Sequence, residues 1–322
     1  MKGNNQSDDD IRNAEPSHAA IIGGGFMGND IAVIFAAGGW NVHVMSPSQD
    51  TRDSLPARVR GGLLKLGASE KNATLVKVYG RIEDLPFPEI SIVVESVSEN
   101  LALKRGIFAD LERLARPDAI LASGTSTFPI GEIGKFLKTR SRVAGLHFFS
   151  PAHLVPLVEV TSAEATDRQV AERLIALMAG LGKKPIDVHK DVPGCVGNRL
   201  QHALLREAQW LVQNGVATPE SIDTAVRYGF GFRYIACGPM MQKELSGWDT
   251  NYLSGTSIYP DLCNADAPPP FLKEMVEAGR TGMKSGRGLW EWDEETMAKE
   301  KARIERCLQA GMEILKTEGR TP

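Results

Sequence analysis

His147 and Glu159 stand near the ends of two apolar runs in GLHFFSPAHLVPLVEV, residues 145–160. GLHFF reads as one buried strand and VPLVEV as another, with Pro151 and Pro156 marking the link between them. Two neighbouring strands joined this briefly can bring the imidazole beside the carboxylate. Such a carboxylate keeps one ring nitrogen protonated and leaves the other to exchange a proton near neutral pH. The same two residues also suit a plain buried ion pair, so the weight of the pair depends on its company.

That company starts near the amino terminus. HAAIIGGGFMG (18–28) runs a short apolar strand into Gly23, Gly25 and Gly28, with Phe26 and Met27 between the last two. A helix-patterned segment and a second strand, NVHVM (41–45), follow. A G-x-G-x-x-G turn allows close backbone approach to a pyrophosphate and offers the amides of a helix start. The spacing alone is weak in a chain of 32 glycines, and the flanking strand and helix make it a dinucleotide signature.

Short apolar runs alternate with helical stretches up to about residue 190. The strands expected are Ala19–Ile22, Val42–Met45, Val76–Tyr79, Ser91–Val97, Ala119–Ala122, Val143–Phe149, Leu157–Val160 and Pro185–Val188. Beyond Asp191–Gly194 helical periodicity dominates, as in Asn198–Asn214, Pro219–Tyr228, Phe271–Ala278 and Glu294–Leu315. The fold expected is therefore an α/β Rossmann-type N-terminal domain (18–190) followed by an all-α C-terminal domain (191–322). Residues 1–17, polar throughout, read as a flexible extension and not as a secretory signal. Tyr259–Pro270, with its three consecutive prolines, reads as irregular.

Composition narrows the classes. The 322 residues allow two domains, and a net charge of −3 with 24% charged residues gives no sign of a nucleic-acid or membrane surface. The four cysteines form no C-x-x-C pair, which speaks for reduced thiols in a cytoplasmic protein and against zinc. His43, His153, His189 and His202 show no partner pattern and receive no function.

The ordered set GGGFMG, VVESVSEN (93–100), SGTS (123–126), HFFSP with LVEV, DVPGCVGNRL (191–200) and GMKSGRGLWEWD (282–293) resembles the 3-hydroxyacyl-CoA dehydrogenase family from His18 to Trp292. The segment 198–223 is most similar to a branch holding L-gulonate dehydrogenases, lambda-crystallins, carnitine dehydrogenases and a pyridine-carboxaldehyde dehydrogenase. The resemblance implies NAD in the first domain, with NADP as the alternative, and a homodimer formed through the helical domain. It implies His147 as catalytic base, Glu159 as its orienting partner, Ser126 contacting substrate and nicotinamide, and Asn198 near the substrate carbonyl. Glu99 and Lys104 would meet the nicotinamide-side ribose. Read without the resemblance, Ser126 and Asn198 fit helix starts, and Glu99 with Lys104 fits an exposed helical pair.

This chain departs from the family pattern in three places. Ser46 follows the second strand where NAD-binding relatives carry an acid, so Ser46, Ser48 and Arg52 can accommodate NADP. Gly124 and Ser150 replace two asparagines near the substrate. The stretch between Ser46 and Tyr79 has room for one clear helix, about 53–66, and not for a full CoA clamp. The activity expected is NAD(P)-dependent interconversion of a hydroxy and an oxo group on a small, carboxylate-bearing substrate. The alternatives are a true L-3-hydroxyacyl-CoA dehydrogenase, NAD-dependent oxidation of an aldehyde hydrate, and a crystallin-like or redox-sensing binding protein.

Overall fold

The computed structural model describes residues 17–317 and divides into two compact units between Asn198 and Arg199. All but Ser17 of the expected N-terminal extension therefore lies outside the described residues. The first unit is built on eight strands: β1 (His18–Ile22), β2 (Asn41–Met45), β3 (Val76–Tyr79), β4 (Ile90–Glu95), β5 (Ile120–Ser123), β6 (Val143–Phe148), β7 (Leu157–Thr161) and β8 (Lys184–Val188). They form one sheet in the order β3-β2-β1-β4-β5-β6-β7-β8, parallel except where β7 runs antiparallel to β6. Helices α1 (Phe26–Ala37), α2 (Gln49–Lys65), α3 (Leu101–Leu114), α4 (Ile130–Ile133) and α5 (Arg168–Gly180) complete it.

A parallel sheet covered on both faces needs apolar side chains on both, and β1 shows why its run is unbroken. Ala19 and Ile21 enter a core that includes Ile31 and Phe35 of α1 and Leu174 of α5, whereas Ala20 and Ile22 enter a second core with Phe108 and Leu111 of α3. The chain reverses its direction of progress between β1 and β4. In an open α/β sheet a nucleotide lies in that crevice, beyond the carboxyl ends of the strands. The glycine turn, the end of β4 and the end of β6 all open on that side.

The second unit is helical: α6 (Gly197–Gln213), whose first two residues belong to the first unit, then α7 (Pro219–Ala225), α8 (Gly231–Arg233), α9 (Pro239–Ser246), α10 (Trp248–Ile258), α11 (Pro270–Glu277) and α12 (Glu294–Thr317). The sequence placed the division at Asp191. The first unit runs on to Asn198 because the turn before α6 is hydrogen-bonded to β7. Among the described residues no helix is long and apolar enough to cross a membrane. Between Ser46 and Tyr79 the chain forms α2 and one short 3-10 turn, Glu70–Leu75, rather than a hairpin of two long helices.

Candidate active site

The antiparallel pairing of β6 with β7 puts His147 opposite Glu159 in register. Nδ1 of His147 lies 2.7 Å from Oε2 of Glu159. Glu159 is fully buried. Burial alone would raise its pKa, but hydrogen bonds from His147 and from the amides of Gly197 and Val196 hold it below the ordinary value. The carboxylate is therefore ionised and can only accept, so His147 donates from Nδ1, and in the neutral ring Nε2 carries the free lone pair. Ser126 Oγ lies 3.2 Å from that Nε2, which makes the hydroxyl the donor.

The second oxygen of Glu159 accepts from Val196 N at 2.9 Å and Gly197 N at 2.8 Å. The turn that presents these amides holds Cys195 at φ 48°, a left-handed conformation unusual for a side-chain-bearing residue. It also requires Gly197, since a Cβ there would come within 2.4 Å of Phe149 Cζ. Phe149 in turn packs edge-on against His147, with ring centroids 4.8 Å apart. Asn198 donates from Nδ2 to the Ser126 carbonyl at 3.4 Å, which ties it to the residue that meets the imidazole.

Ser126 is placed by Glu99. One oxygen of Glu99 accepts from the amides of Ser126 and Thr127, each at 3.0 Å, and from the hydroxyls of Thr125 and Thr127. Burial works against ionisation, yet the two hydroxyls and the Lys104 ammonium bring the Glu99 pKa down from 4.5 to about 2. Lys104 lies 3.1 Å from Glu99 but is itself 1% exposed, with its ammonium also 2.8 Å from Glu95. It is thus not an exposed helix pair with Glu99, and one buried ammonium ties Glu99 to Glu95. Glu95 was missed: it ends β4, is fully buried, and also accepts from Ser123 Oγ at 2.7 Å.

The glycine turn fits a pyrophosphate. A Cβ on Gly28 would meet the Gly23 carbonyl oxygen at 1.7 Å, and one on Gly23 (φ +108°) would meet Ser96 O at 2.5 Å. Gly25 starts α1 with no side-chain cap and has open space on its Cβ side, so the first amides of the helix are available to an anion. Phe26 is exposed beside it and Met27 packs partly against the core. Ser46 is buried at the end of β2, where its carbonyl accepts from Arg52 at 2.6 Å.

The remaining histidines stay apart from this chemistry. His43 lies in a hydrogen-bonded row with His18 (3.0 Å) and Tyr79 (3.0 Å), and His18 also meets Glu89 at 3.1 Å. His18 begins β1 and Glu89 precedes β4, so this end of the row lies at the amino ends of the strands, and the row crosses the middle of β2 at His43 to Tyr79, the last residue of β3. Burial, His18 and Lys77 lower the His43 pKa to about 4. His153 has a partner that spacing did not reveal, Asp30 of α1, at 3.0 Å. Asp30 also accepts from Ala152 N at 2.9 Å, and buried Lys183 donates to the carbonyls of Ala152 and Val155, which fastens the loop after His147.

Comparison with known proteins adds findings of three kinds. Residues 18–192 match the NAD-binding domain of 3-hydroxyacyl-CoA dehydrogenase, and residues 194–292 match its C-terminal domain. The chain is 34% identical over 307 residues to 5-formyl-3-hydroxy-2-methylpyridine 4-carboxylate 5-dehydrogenase of Mesorhizobium japonicum, covering 94% of this chain and 98% of that one. It is 35% identical over 287 residues to 3-hydroxyadipyl-CoA dehydrogenase of Escherichia coli, covering 87% of this chain and 60% of that one. Among solved structures, an NAD+-dependent dismutase acting as a 5-dehydrogenase on the same formyl-pyridine carboxylic acid superposes with a TM-score of 0.87, at 31% identity over 95% of this chain and all of that one. FadB2 of Mycobacterium tuberculosis gives 0.71, at 33% identity over 87% of this chain and all of that one.

Proposed function

This chain belongs to the 3-hydroxyacyl-CoA dehydrogenase family, and from that premise we propose that it acts on a small carboxylate-bearing compound with His147 and Glu159 as the acid–base pair. The broad activity is NAD(P)-dependent oxidoreduction of a hydroxy/oxo pair. The observation that carries the finer reading is the alignment Glu159–His147–Ser126, with spacings of 2.7 and 3.2 Å.

Oxidation of an alcohol requires a proton acceptor for the hydroxyl and a hydride acceptor for the carbon, and a nicotinamide cofactor bound at the glycine turn would supply the second. His147 Nε2 takes the hydroxyl proton. Glu159, buried and held ionised by two amides, stabilises the imidazolium formed. Ser126 Oγ, now released from Nε2, and Asn198 Nδ2 offer hydrogen bonds to the substrate oxygen as it becomes a carbonyl. In reduction the same imidazolium returns the proton. An aldehyde hydrate presents the same hydroxyl to the same nitrogen, so this geometry serves hydrates equally.

Support for a small substrate comes from the single main helix between Ser46 and Tyr79 and from the likeness to the formyl-pyridine carboxylate enzyme. The same likeness supports placing the chain in the branch with L-gulonate dehydrogenases, lambda-crystallins and carnitine dehydrogenases. The competing acyl-CoA reading draws on the 3-hydroxyadipyl-CoA dehydrogenase relative. We place the enzyme in the cytoplasm, in keeping with four free cysteines. We also propose a homodimer through the helical unit, where Leu200, Leu204 and Leu205 of α6 stand exposed on a helix with no buried side chain.

The deciding experiment is a panel of hydroxy acids, aldehydo acids and acyl-CoAs followed at the nicotinamide absorbance band. Turnover of acetoacetyl-CoA with kcat/KM above that for every small acid would overturn the substrate reading.

A further inference from the structure

The adenosine end of the nucleotide crevice carries cations where an acid would be expected. In this sheet the residue after β2 faces the adenosine ribose, and an acid there binds the 2′-hydroxyl and repels a 2′-phosphate. Here that residue is Ser46, 5% exposed, and Gly24 of the glycine turn packs directly on it: a Cβ at Gly24 would lie 3.3 Å from Ser46 Cβ and 3.1 Å from Thr51 Cγ2.

Two arginines of α2 converge on this point. Arg52 donates from Nη1 to the carbonyls of Ser46 (2.6 Å) and Pro47 (2.8 Å) and from Nη2 to Gln49. Its guanidinium is thereby pinned at the end of β2. Arg58 reaches back over 34 residues to donate from Nη2 to Gly24 O at 2.8 Å and from Nη1 to Gly25 O at 3.3 Å. Its Nε is buried with no partner. An arginine has more N–H groups than these contacts occupy, and its planar fork suits phosphate oxygens. The acids of the same helix do not cancel the pair: Asp50 and Asp53 are exposed, and Asp53 is taken by Gln49 at 2.6 Å.

We propose that Arg52 and Arg58 form a binding site for the 2′-phosphate of a phosphorylated adenine dinucleotide, with Arg58 the specificity-determining residue. This rests on the dinucleotide-binding reading of the glycine turn. Arg58 is held on the carbonyls of the glycine turn, beside the position of the ribose, with its unpaired Nε–H left over. Position 58 could not be found from sequence spacing, because its link to Gly24 is made by the fold.

Calorimetric titration of the full chain with 5′-AMP, 2′,5′-ADP, NAD and NADP tests this without turnover. The expected result is tighter binding of 2′,5′-ADP than of 5′-AMP, by at least about tenfold, as a charge-assisted fork provides. Arg58→Gln should remove that advantage while changing 5′-AMP by less than about threefold. Ser46→Asp leaves both arginines in place and should weaken 2′,5′-ADP selectively, which guards against a misfolded Arg58 variant. Equal binding of the two mononucleotides, or equal losses for both in Arg58→Gln, would overturn the proposal and leave the arginines as braces of the turn. Failure of all four nucleotides to bind would overturn the dinucleotide reading beneath it.

Discussion

In the first unit the strands send side chains into cover on both faces, and even charged groups are shut away: Glu95 and Glu159 are fully buried and Lys104 is 1% exposed. In the second unit α7, α9, α11 and α12 bury no side chain, and α10 buries only Gly255. Leu245, Tyr252 and Leu253 are 76%, 72% and 66% exposed. Both units are rich in apolar residues, so the difference lies in what covers them. A sheet with helices on both faces closes its own core. Short helices presenting apolar side chains outward call for a surface beyond themselves. The first unit can therefore hold charges at fixed distances for chemistry, and the exposed apolar residues of the second are what the proposed dimer would cover.

The sharpest way to break the comparison is at His147. His147→Ala should reduce kcat/KM by about 10²–10⁴-fold, the range for a lost acid–base group. Its dissociation constant for the dinucleotide should stay near the wild-type value, because His147 lies at the end of β6 and the glycine turn follows β1. Steady-state kinetics and nucleotide titration on the same variant separate the two effects. Near-normal turnover would show that the buried charges of the first unit are braces only. Glu159→Gln should cost less, since an amide oxygen still accepts the ring N–H but gives no charge to the imidazolium.

Lys104 probes the cost of burying charge. Lys104→Met leaves Glu95 fully buried with only Ser123 and the Val97 amide as partners. Removing one member of such a pair typically destabilises by about 3–5 kcal/mol. Urea unfolding gives the value. A loss below about 1 kcal/mol, the size of an exposed pair, would place Lys104 among surface contacts after all.

The second unit should fail differently. Leu200 and Leu204 lie one turn apart on α6 and are 62% and 43% exposed. Replacing both with Glu removes no buried contact within the chain, so the melting temperature of the monomer should barely move. Association should weaken by about 2–4 kcal/mol if these residues are central to a dimer interface. Light scattering across micromolar concentrations reads the change in mass, and a wild-type protein that is already monomeric would end the proposal.

The same contrast explains what was legible in the sequence. All eight strands stand where apolar runs placed them, because a sheet buried on both faces writes itself as continuous runs. The His147–Glu159 pair was legible because a short antiparallel link leaves few registers. In the second unit α9 and α10 escaped notice. PMMQKELSGWDTNYLSGTSI mixes Ser, Thr, Asn and Gly into its helices, and exposed apolar residues fall on no single stripe. Contacts made by the fold at long range, such as Arg58 with Gly24 or Asp30 with His153, leave no mark in local spacing.

The smallest effect concerns Glu99, which stands between the two regimes: 34% exposed, yet tied to four donors of the Ser126 loop and to Lys104. Its pKa falls from 4.5 to about 2 on folding. A carboxylate with a depressed native pKa binds fewer protons folded than unfolded in the window between those values. Its contribution to stability is thus complete above about pH 4.5 and disappears as the pH drops through about 2. A full conversion of the shift would give about 3 kcal/mol, and solvent screening at this exposure reduces that to about 1 kcal/mol. Glu99→Gln should therefore be less stable by about 1 kcal/mol at pH 7, and the gap should shrink steadily between pH 5 and pH 2.5. Urea unfolding of both proteins at several pH values traces it. A gap that stays constant with pH would mean that the carboxylate's charge does not hold the loop, and that hydrogen bonding alone sets Ser126 against His147.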